Sequence, residues 1–138
     1  MLSLNFFPDI KNTDFEVMVP GGTLRPNNGG IIGPSAVSFV DGFRADYLIT
    51  SMGAIDPDGS LLEFDVNEAR VVKAMMAHAR HILLAADHTK FHASAAVEIG
   101  NVARATALFT NAPPHSISRE TATAAGRSGD CAITEYKY

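Results

Sequence analysis

The feature that most constrains the fold is the alternation of short apolar strand-like runs with helical segments. Ala45–Ser51 has the composition of a strand, and His81–Ala86 is an apolar run typical of a buried strand. Between them, Asp65–Arg80 predicts a helix, because Asp65 and Glu68 have capping-box spacing and an apolar stripe follows at helical intervals. Strands that alternate with helices predict an α/β fold with three layers, in which helices cover both faces of a mainly parallel sheet.

Weaker signals define the remaining elements. A proline near a first turn predicts a helix from Gly33 to about Phe43, and Asp56–Gly59 is a strong turn signal. The other predicted elements are the end of a helix at 2–10, a strand over Phe15–Val19, a strand over Ala105–Thr110, a helix at about 115–125 and a strand over Cys131–Tyr136.

The sequence contains no repeat, charge run or interior linker. We therefore expect residues 1–138 to belong to one domain, which is an ordinary size for a single core. The pattern starts as though the first strand and helix of an α/β domain were missing. We expect the domain to be incomplete at its N-terminus.

Composition argues against several classes of protein. The chain is 46% hydrophobic and 19% charged, which is typical of a globular protein. No apolar stretch is long enough for a bilayer span, and the first residues lack the features of a secretory signal. A net charge of −4 without a Lys/Arg cluster argues against direct DNA binding. Cys131 is the only cysteine, which excludes an intrachain disulfide and fits a cytoplasmic location.

The candidate binding residues follow the predicted strands, because open α/β sheets bind ligands beyond the carboxyl ends of their strands. They are small or polar, and comprise Gly21, Gly22, Ser51, Gly53, Ala54, Asp87 and Lys90, together with Glu68 at the start of a helix that faces the same crevice. This set suits a small anionic ligand such as a phosphorylated sugar. Lysine supplies charge, backbone N–H groups bind phosphate, and carboxylates bind hydroxyls.

Each of these residues also has a purely structural interpretation. Gly21 and Gly22 can simply end a strand, and Glu68 can serve only in the capping box. Asp87 can organise its own loop, and Lys90 can be a solvated surface lysine. The His78/His81 and His88/His92 pairs lack a third ligand at a known spacing, and nucleotide-binding motifs are absent, so we expect neither a metal nor a cofactor.

Several segments together resemble the effector domains of the DeoR family of transcriptional regulators. They occur in the family's order and comprise Pro20–Arg25, Gly33-Pro34, Ala45–Asp56, Glu68-Ala69, Leu83–Phe91 and Leu108–Asn111. Asn111 stands where the family commonly has aspartate.

The resemblance implies a fold, a function and partners. The fold is Rossmann-like and similar to that of ribose-5-phosphate isomerase and CoA-transferases. The family's members are bacterial regulators, usually repressors of sugar or polyol catabolism, and are commonly oligomeric. A separate N-terminal helix-turn-helix domain binds DNA, and the effector domain binds a phosphorylated sugar or polyol. In that comparison Lys90 contacts the phosphate, while Asp87 and Glu68 face hydroxyl groups.

The resemblance therefore predicts a sensor domain rather than an enzyme. The alternative is a sugar-phosphate isomerase on the same fold, with Glu68 as the base and Lys90 as the phosphate anchor. The glycine-rich loop of that isomerase is not visible in the sequence. A third possibility is a structural piece without a ligand. Convergence of Lys90 and Glu68 on one polar pocket would favour the first two interpretations.

Overall fold

The computed structural model describes residue 14, residues 16–111 and residues 132–135. In chain order its elements are β1 (Thr23–Leu24), β2 (Ile31–Ile32), α1 (Pro34–Asp41), β3 (Ala45–Thr50), β4 (Ala54–Ile55), β5 (Ser60–Glu63), α2 (Val66–His78), β6 (Ala79–Ala85), β7 (Val97–Asn101), β8 (Ala107–Thr110) and β9 (Ala132–Glu135). Two 3-10 helices, His88–Phe91 and Val102–Arg104, lie on either side of β7.

The main sheet is parallel and has the order β3-β6-β8-β9. Tyr47 pairs with His81 in the β3/β6 ladder, and Leu84 pairs with Leu108 in the β6/β8 ladder. The helix α2 connects β5 to β6. This arrangement confirms the α/β class and the mainly parallel sheet, and it brings the carboxyl ends of β3, β6 and β8 to one edge.

The core lies between this sheet and α2. Alternate residues of the strands point toward the helix, including Leu48, Ile82 and Leu84. On the helix, Val72 and Met76 belong to the predicted apolar stripe and are almost fully buried. Burial of each such side chain stabilises the fold by about 1.5–3 kcal/mol, so this contact fixes α2 on the sheet.

The helix α1 packs against α2 and the β1/β2 hairpin. It begins at Pro34, one residue after the predicted start at Gly33, and ends at Asp41, two residues before the predicted end at about Phe43. On β3, Tyr47 and Ile49 remain 63% and 71% exposed, since they point away from the core. The second layer of helices on that face remains a prediction.

Three short strands form a second, antiparallel sheet that the sequence analysis missed. Its order is β4-β5-β7, and the predicted Asp56–Gly59 turn joins its first two strands. The predicted strand at Phe15–Val19 is wrong for its described residues, Glu16–Val19, which form no strand. Their apolar side chains are exposed, and a strand requires a partner for its ladder bonds.

Two further predictions concern the chain ends. The helix end at 2–10 and the helix at 115–125 lie outside the described residues. Strand β9 falls within the predicted strand at 131–136.

The Asp56–Gly59 turn generates a stability prediction. Gly59 has a φ of +87°, and a Cβ atom there would lie 2.9 Å from Cγ1 of Val102. We expect Gly59→Ala to lower the free energy of unfolding by about 1–3 kcal/mol, because an L side chain is strained in this conformation. Gly42→Ala is the matched control, since Gly42 has a φ of −76° and should change stability by no more than about 0.5 kcal/mol. Denaturant unfolding measures both, and equal effects would contradict the prediction.

Candidate functional site

A polar cavity of about 180 Å³ lies where the ends of β3 and β5 meet the first turn of α2. Its lining includes three charged side chains, Glu63, Glu68 and Lys90, together with Asn28, Ser51, Met52, Gly53, Phe64 and Val72. Lys90 and Glu68 therefore converge on one pocket. We refer to this space as the carboxylate cavity.

Lys90 is held over the carboxylate cavity by a short capped helix. A carboxylate oxygen of Asp87 accepts a 2.7 Å hydrogen bond from the Thr89 amide, and the Asp87 carbonyl accepts one from the Lys90 amide. The side-chain hydrogen bond from Thr89 is the main cause that lowers the pKa of Asp87. The structural role of Asp87 in its own loop is thus present, and Lys90 is half-buried rather than fully solvated.

Glu68 lies in the first turn of α2, which Asp65 caps. Oδ1 of Asp65 accepts from the amides of Asn67 and Glu68 at 2.8 and 3.0 Å, which is the N-cap half of the predicted capping box. Oε1 of Glu68 accepts a 2.7 Å hydrogen bond from the Asn28 amide group and lies 3.1 Å from Nη1 of Arg25. Glu68 therefore joins the helix to the loop between β1 and β2.

That loop is pre-shaped by its own backbone. The Arg25 amide donates to the Gly30 carbonyl at 2.8 Å, and the Gly29 amide donates back to the Arg25 carbonyl at 3.0 Å. Oδ1 of Asn28 accepts from the Gly30 amide, so the side-chain amide group is oriented toward Glu68. Arg25 also pairs with Asp65 at 3.3 Å. The sequence analysis did not identify Arg25 or Asn28 as contributors to the site.

Glu63 is the most informative residue that the sequence analysis missed. It ends β5 and is only 9% exposed. Burial and, second, the negative charge of Glu68 raise the pKa of the Glu63 carboxyl, while the Phe64 amide and Lys90 oppose the shift. The available signal was a charged residue within the apolar run Leu61–Phe64, because a buried carboxylate destabilises a fold unless it is paired, and such residues are concentrated at functional sites.

Two further predicted residues, Ser51 and Gly53, line the carboxylate cavity. The Gly53 amide donates to the Leu62 carbonyl at 2.9 Å, and a Cβ atom on Gly53 would lie 2.9 Å from the Phe64 ring. A glycine at this position therefore permits the close approach of β5.

Ser51 also lines a second cavity of about 350 Å³ at the ends of β6 and β8. Asp87, Thr110 and Asn111 belong to its lining. Oδ1 of Asn111 accepts a 2.9 Å hydrogen bond from the His88 amide, which fixes this cavity beside the loop that carries Lys90. The two cavities thus meet at Ser51.

The remaining predicted residues lie elsewhere. Ala54 is fully buried in β4, where it pairs with Leu62. Gly22 has a φ of +150°, and a Cβ atom on it would lie 2.5 Å from the Ile32 carbonyl oxygen of the hairpin. Gly21 is exposed next to Ser35. These residues support the framework and do not line either cavity.

Two properties of the described residues concern metal binding and membrane insertion. Within residues 14, 16–111 and 132–135, His, Cys, Asp and Glu side chains form no group of three that could hold a metal ion. Neither described helix combines the length and the apolar character that a membrane span needs.

The two cavities lie at strand ends of an α/β fold, which is where such folds commonly bind ligands. The model of the DeoR C terminal sensor domain matches residues 3–112. The chain belongs to this family of sensor domains.

The relatives described next are all named as repressors. The chain is 77% identical over 103 residues to the HTH-type transcriptional repressor CsqR of Escherichia coli (strain K12), a match that covers 75% of this chain and 40% of that protein. It is 44% identical over 101 residues to the Glycerol-3-phosphate regulon repressor of the same organism, covering 73% of this chain and 40% of the relative. The corresponding repressor of Haemophilus influenzae is 42% identical over 107 residues, with 78% and 42% covered. The chain thus spans about two fifths of the length of these curated relatives.

The raised pKa of Glu63 generates a prediction for stability against pH. Below the unfolded-state pKa the Glu63 carboxyl is protonated in both the folded and the unfolded state, so its raised pKa does not lower the free energy of unfolding. As pH rises through the unfolded-state pKa toward the raised pKa of the folded state, the Glu63 carboxyl ionises more readily in the unfolded chain. The free energy of unfolding therefore decreases over this range. We expect Glu63→Gln to unfold at higher denaturant concentration than the wild-type protein near pH 7, and this difference to shrink at about pH 4.

The exposed Glu98 of β7 provides the control for that prediction. Glu98→Gln should leave the unfolding midpoint close to that of the wild-type protein at both pH values. A Glu63→Gln variant that is less stable than wild type near neutral pH would contradict the prediction.

Proposed function

We propose that this domain binds a phosphorylated sugar or polyol in the carboxylate cavity, and that binding changes the DNA affinity of a separate helix-turn-helix domain. The observation that carries the proposal is the convergence of Lys90, Glu63 and Glu68 on one cavity in a member of a sensor-domain family. This arrangement combines one cation for an anionic group with acceptors for hydroxyl groups.

Each group has a defined chemical role in the proposal. The Lys90 ammonium provides charge-assisted hydrogen bonds to a phosphate oxygen. Glu63 and Glu68 accept hydrogen bonds from ligand hydroxyls, and Ser51 can donate or accept at the junction with the second cavity. Asp87 acts on the ligand chiefly by holding the helix that carries Lys90.

The names of the relatives support the ligand class and the regulatory role. Two of them are Glycerol-3-phosphate regulon repressors, and a third is a transcriptional repressor. The proposed partner of the domain is therefore DNA, contacted only through another domain. The net charge of −4 agrees with DNA binding by another domain, since a negative chain is repelled by the phosphates of DNA.

The proposed mechanism is a shift between two arrangements of the regulator. A ligand that binds one arrangement more tightly increases its population, and DNA affinity changes by the same coupling free energy. Such a regulator acts in the cytoplasm, and we propose that it is a homo-oligomer. The exposed apolar side chains of Tyr47 and Ile49 on β3 are consistent with contact to another copy.

A binding role is favoured over an isomerase activity by the names of the relatives, which are transcriptional repressors. Oε1 of Glu68 is bonded to Asn28 and Arg25 and joins the loop to α2. We therefore propose that the domain is not an enzyme, and an isomerase assay on any ligand that binds is the direct check.

The ligand prediction is tested by thermal shift against phosphorylated sugars and polyols, with the unphosphorylated compounds beside them. We expect a phosphorylated compound to raise the midpoint, because it binds only the folded state. Lys90→Ala should weaken binding by about ten- to hundred-fold, which corresponds to loss of one hydrogen bond to a charged group.

Lys73→Ala is the matched control, because Lys73 is an exposed lysine of α2 outside the carboxylate cavity. It should retain the shift of the wild-type protein. Equal shifts with phosphorylated and unphosphorylated compounds, or equal shifts in wild type and Lys90→Ala, would refute the proposed role of Lys90.

A further inference from the structure

We propose that Glu63 determines ligand specificity by excluding compounds that carry a second anionic group. The inference rests on the proposed function and extends it, because it defines the class of ligand as a phosphate monoester whose remaining polar groups are hydroxyls. A sugar acid phosphate of the same carbon skeleton is rejected. The two compounds differ only in whether a hydroxymethyl group or a carboxylate meets the carboxylate cavity.

The charged side chains that line the carboxylate cavity have a net negative charge. Two carboxylates, Glu63 and Glu68, and one ammonium, Lys90, line a space of about 180 Å³. Glu63 is 9% exposed, and the Glu68 side chain is 15% exposed, so solvent screens neither fully. Once a phosphate has engaged Lys90, the remaining lining is negative.

Glu63 and Glu68 differ in how far neighbouring groups compensate their negative charges. The charge of Glu68 is offset by the Arg25 guanidinium at 3.1 Å and by the hydrogen bond from Asn28. Among the ion pairs of the described residues, Glu63 belongs to none. The Phe64 amide and Lys90 act on Glu63, but no guanidinium pairs with it, so its negative charge is the less compensated of the two.

A hydroxyl group and a carboxylate of a ligand interact differently with Glu63. A hydroxyl group donates its proton to a carboxylate, whereas a ligand carboxylate has no proton to donate near neutral pH. A second ligand charge next to Glu63 meets like-charge repulsion, which is a common means of rejecting an incorrect partner. The selectivity of Glu63 for hydroxyl groups over carboxylates would thus explain why the protein has a buried carboxylate that lowers its stability.

The test is isothermal titration calorimetry with two matched pairs of compounds. The first pair is glycerol 3-phosphate and 3-phosphoglycerate, and the second is glucitol 6-phosphate and 6-phosphogluconate. In each pair the hydroxymethyl group of the first compound is a carboxylate in the second. We expect the wild-type chain to bind at least one polyol phosphate about ten-fold or more tightly than its acid partner.

The variant Glu63→Gln removes the charge and keeps the shape. We expect the polyol-to-acid affinity ratio to fall by about ten-fold, mainly because the acid phosphate binds more tightly. Glu98→Gln alters the same net charge at an exposed site on β7, and it should leave the ratio unchanged. This control separates a local effect of Glu63 from a general effect of net charge.

The outcomes distinguish this inference from the proposed function. If wild type binds polyol phosphates but the ratio is the same in Glu63→Gln, the role of Glu63 is overturned and the sensor proposal stands. A wild-type preference for the acid compounds has the same consequence. If neither pair binds wild type, the proposed ligand class fails, and the specificity role of Glu63 fails with it.

Discussion

The arrangement of the site depends on the ionic contact between Arg25 and the first turn of α2. Arg25 reaches both Asp65 and Glu68, so a single guanidinium connects the β1/β2 hairpin to the helix that packs on the sheet. Negative side chains are favourable at a helix N-terminus, and Asp65 additionally caps the free amides there. Glu68 also lines the carboxylate cavity, so a residue that holds the hairpin on the helix is at the same time part of the site.

The sequence predicted the elements whose signals are local. The capping pair Asp65 and Glu68 and the apolar stripe located α2 within two residues of each end, because caps and helical periodicity act over neighbouring turns. The antiparallel sheet could not be predicted in the same way. Its strands have two to five residues, too few for a clear alternation, and they exist because they pair with one another.

The site was predictable to the extent that it follows strand ends. Ser51, Gly53 and Lys90 were found because each comes directly after a strand or in the loop beyond it, and Glu68 because it begins a helix. Glu63 and Asn28 were missed because they enter the carboxylate cavity through tertiary contact. Glu63 ends a strand that the sequence analysis did not recognise, and Asn28 meets Glu68 across 40 positions of the chain. Long-range pairing of this kind leaves no periodic signal.

The position of Ser51 between the two cavities links ligand length to the number of elements that a ligand can tie together. A compound confined to the carboxylate cavity contacts β5, α2 and the helix of Lys90. A longer compound that passes over Ser51 also reaches Thr110 and Asn111 at the end of β8. The length of a ligand bound there would then determine whether it contacts β8 in addition to β5 and α2.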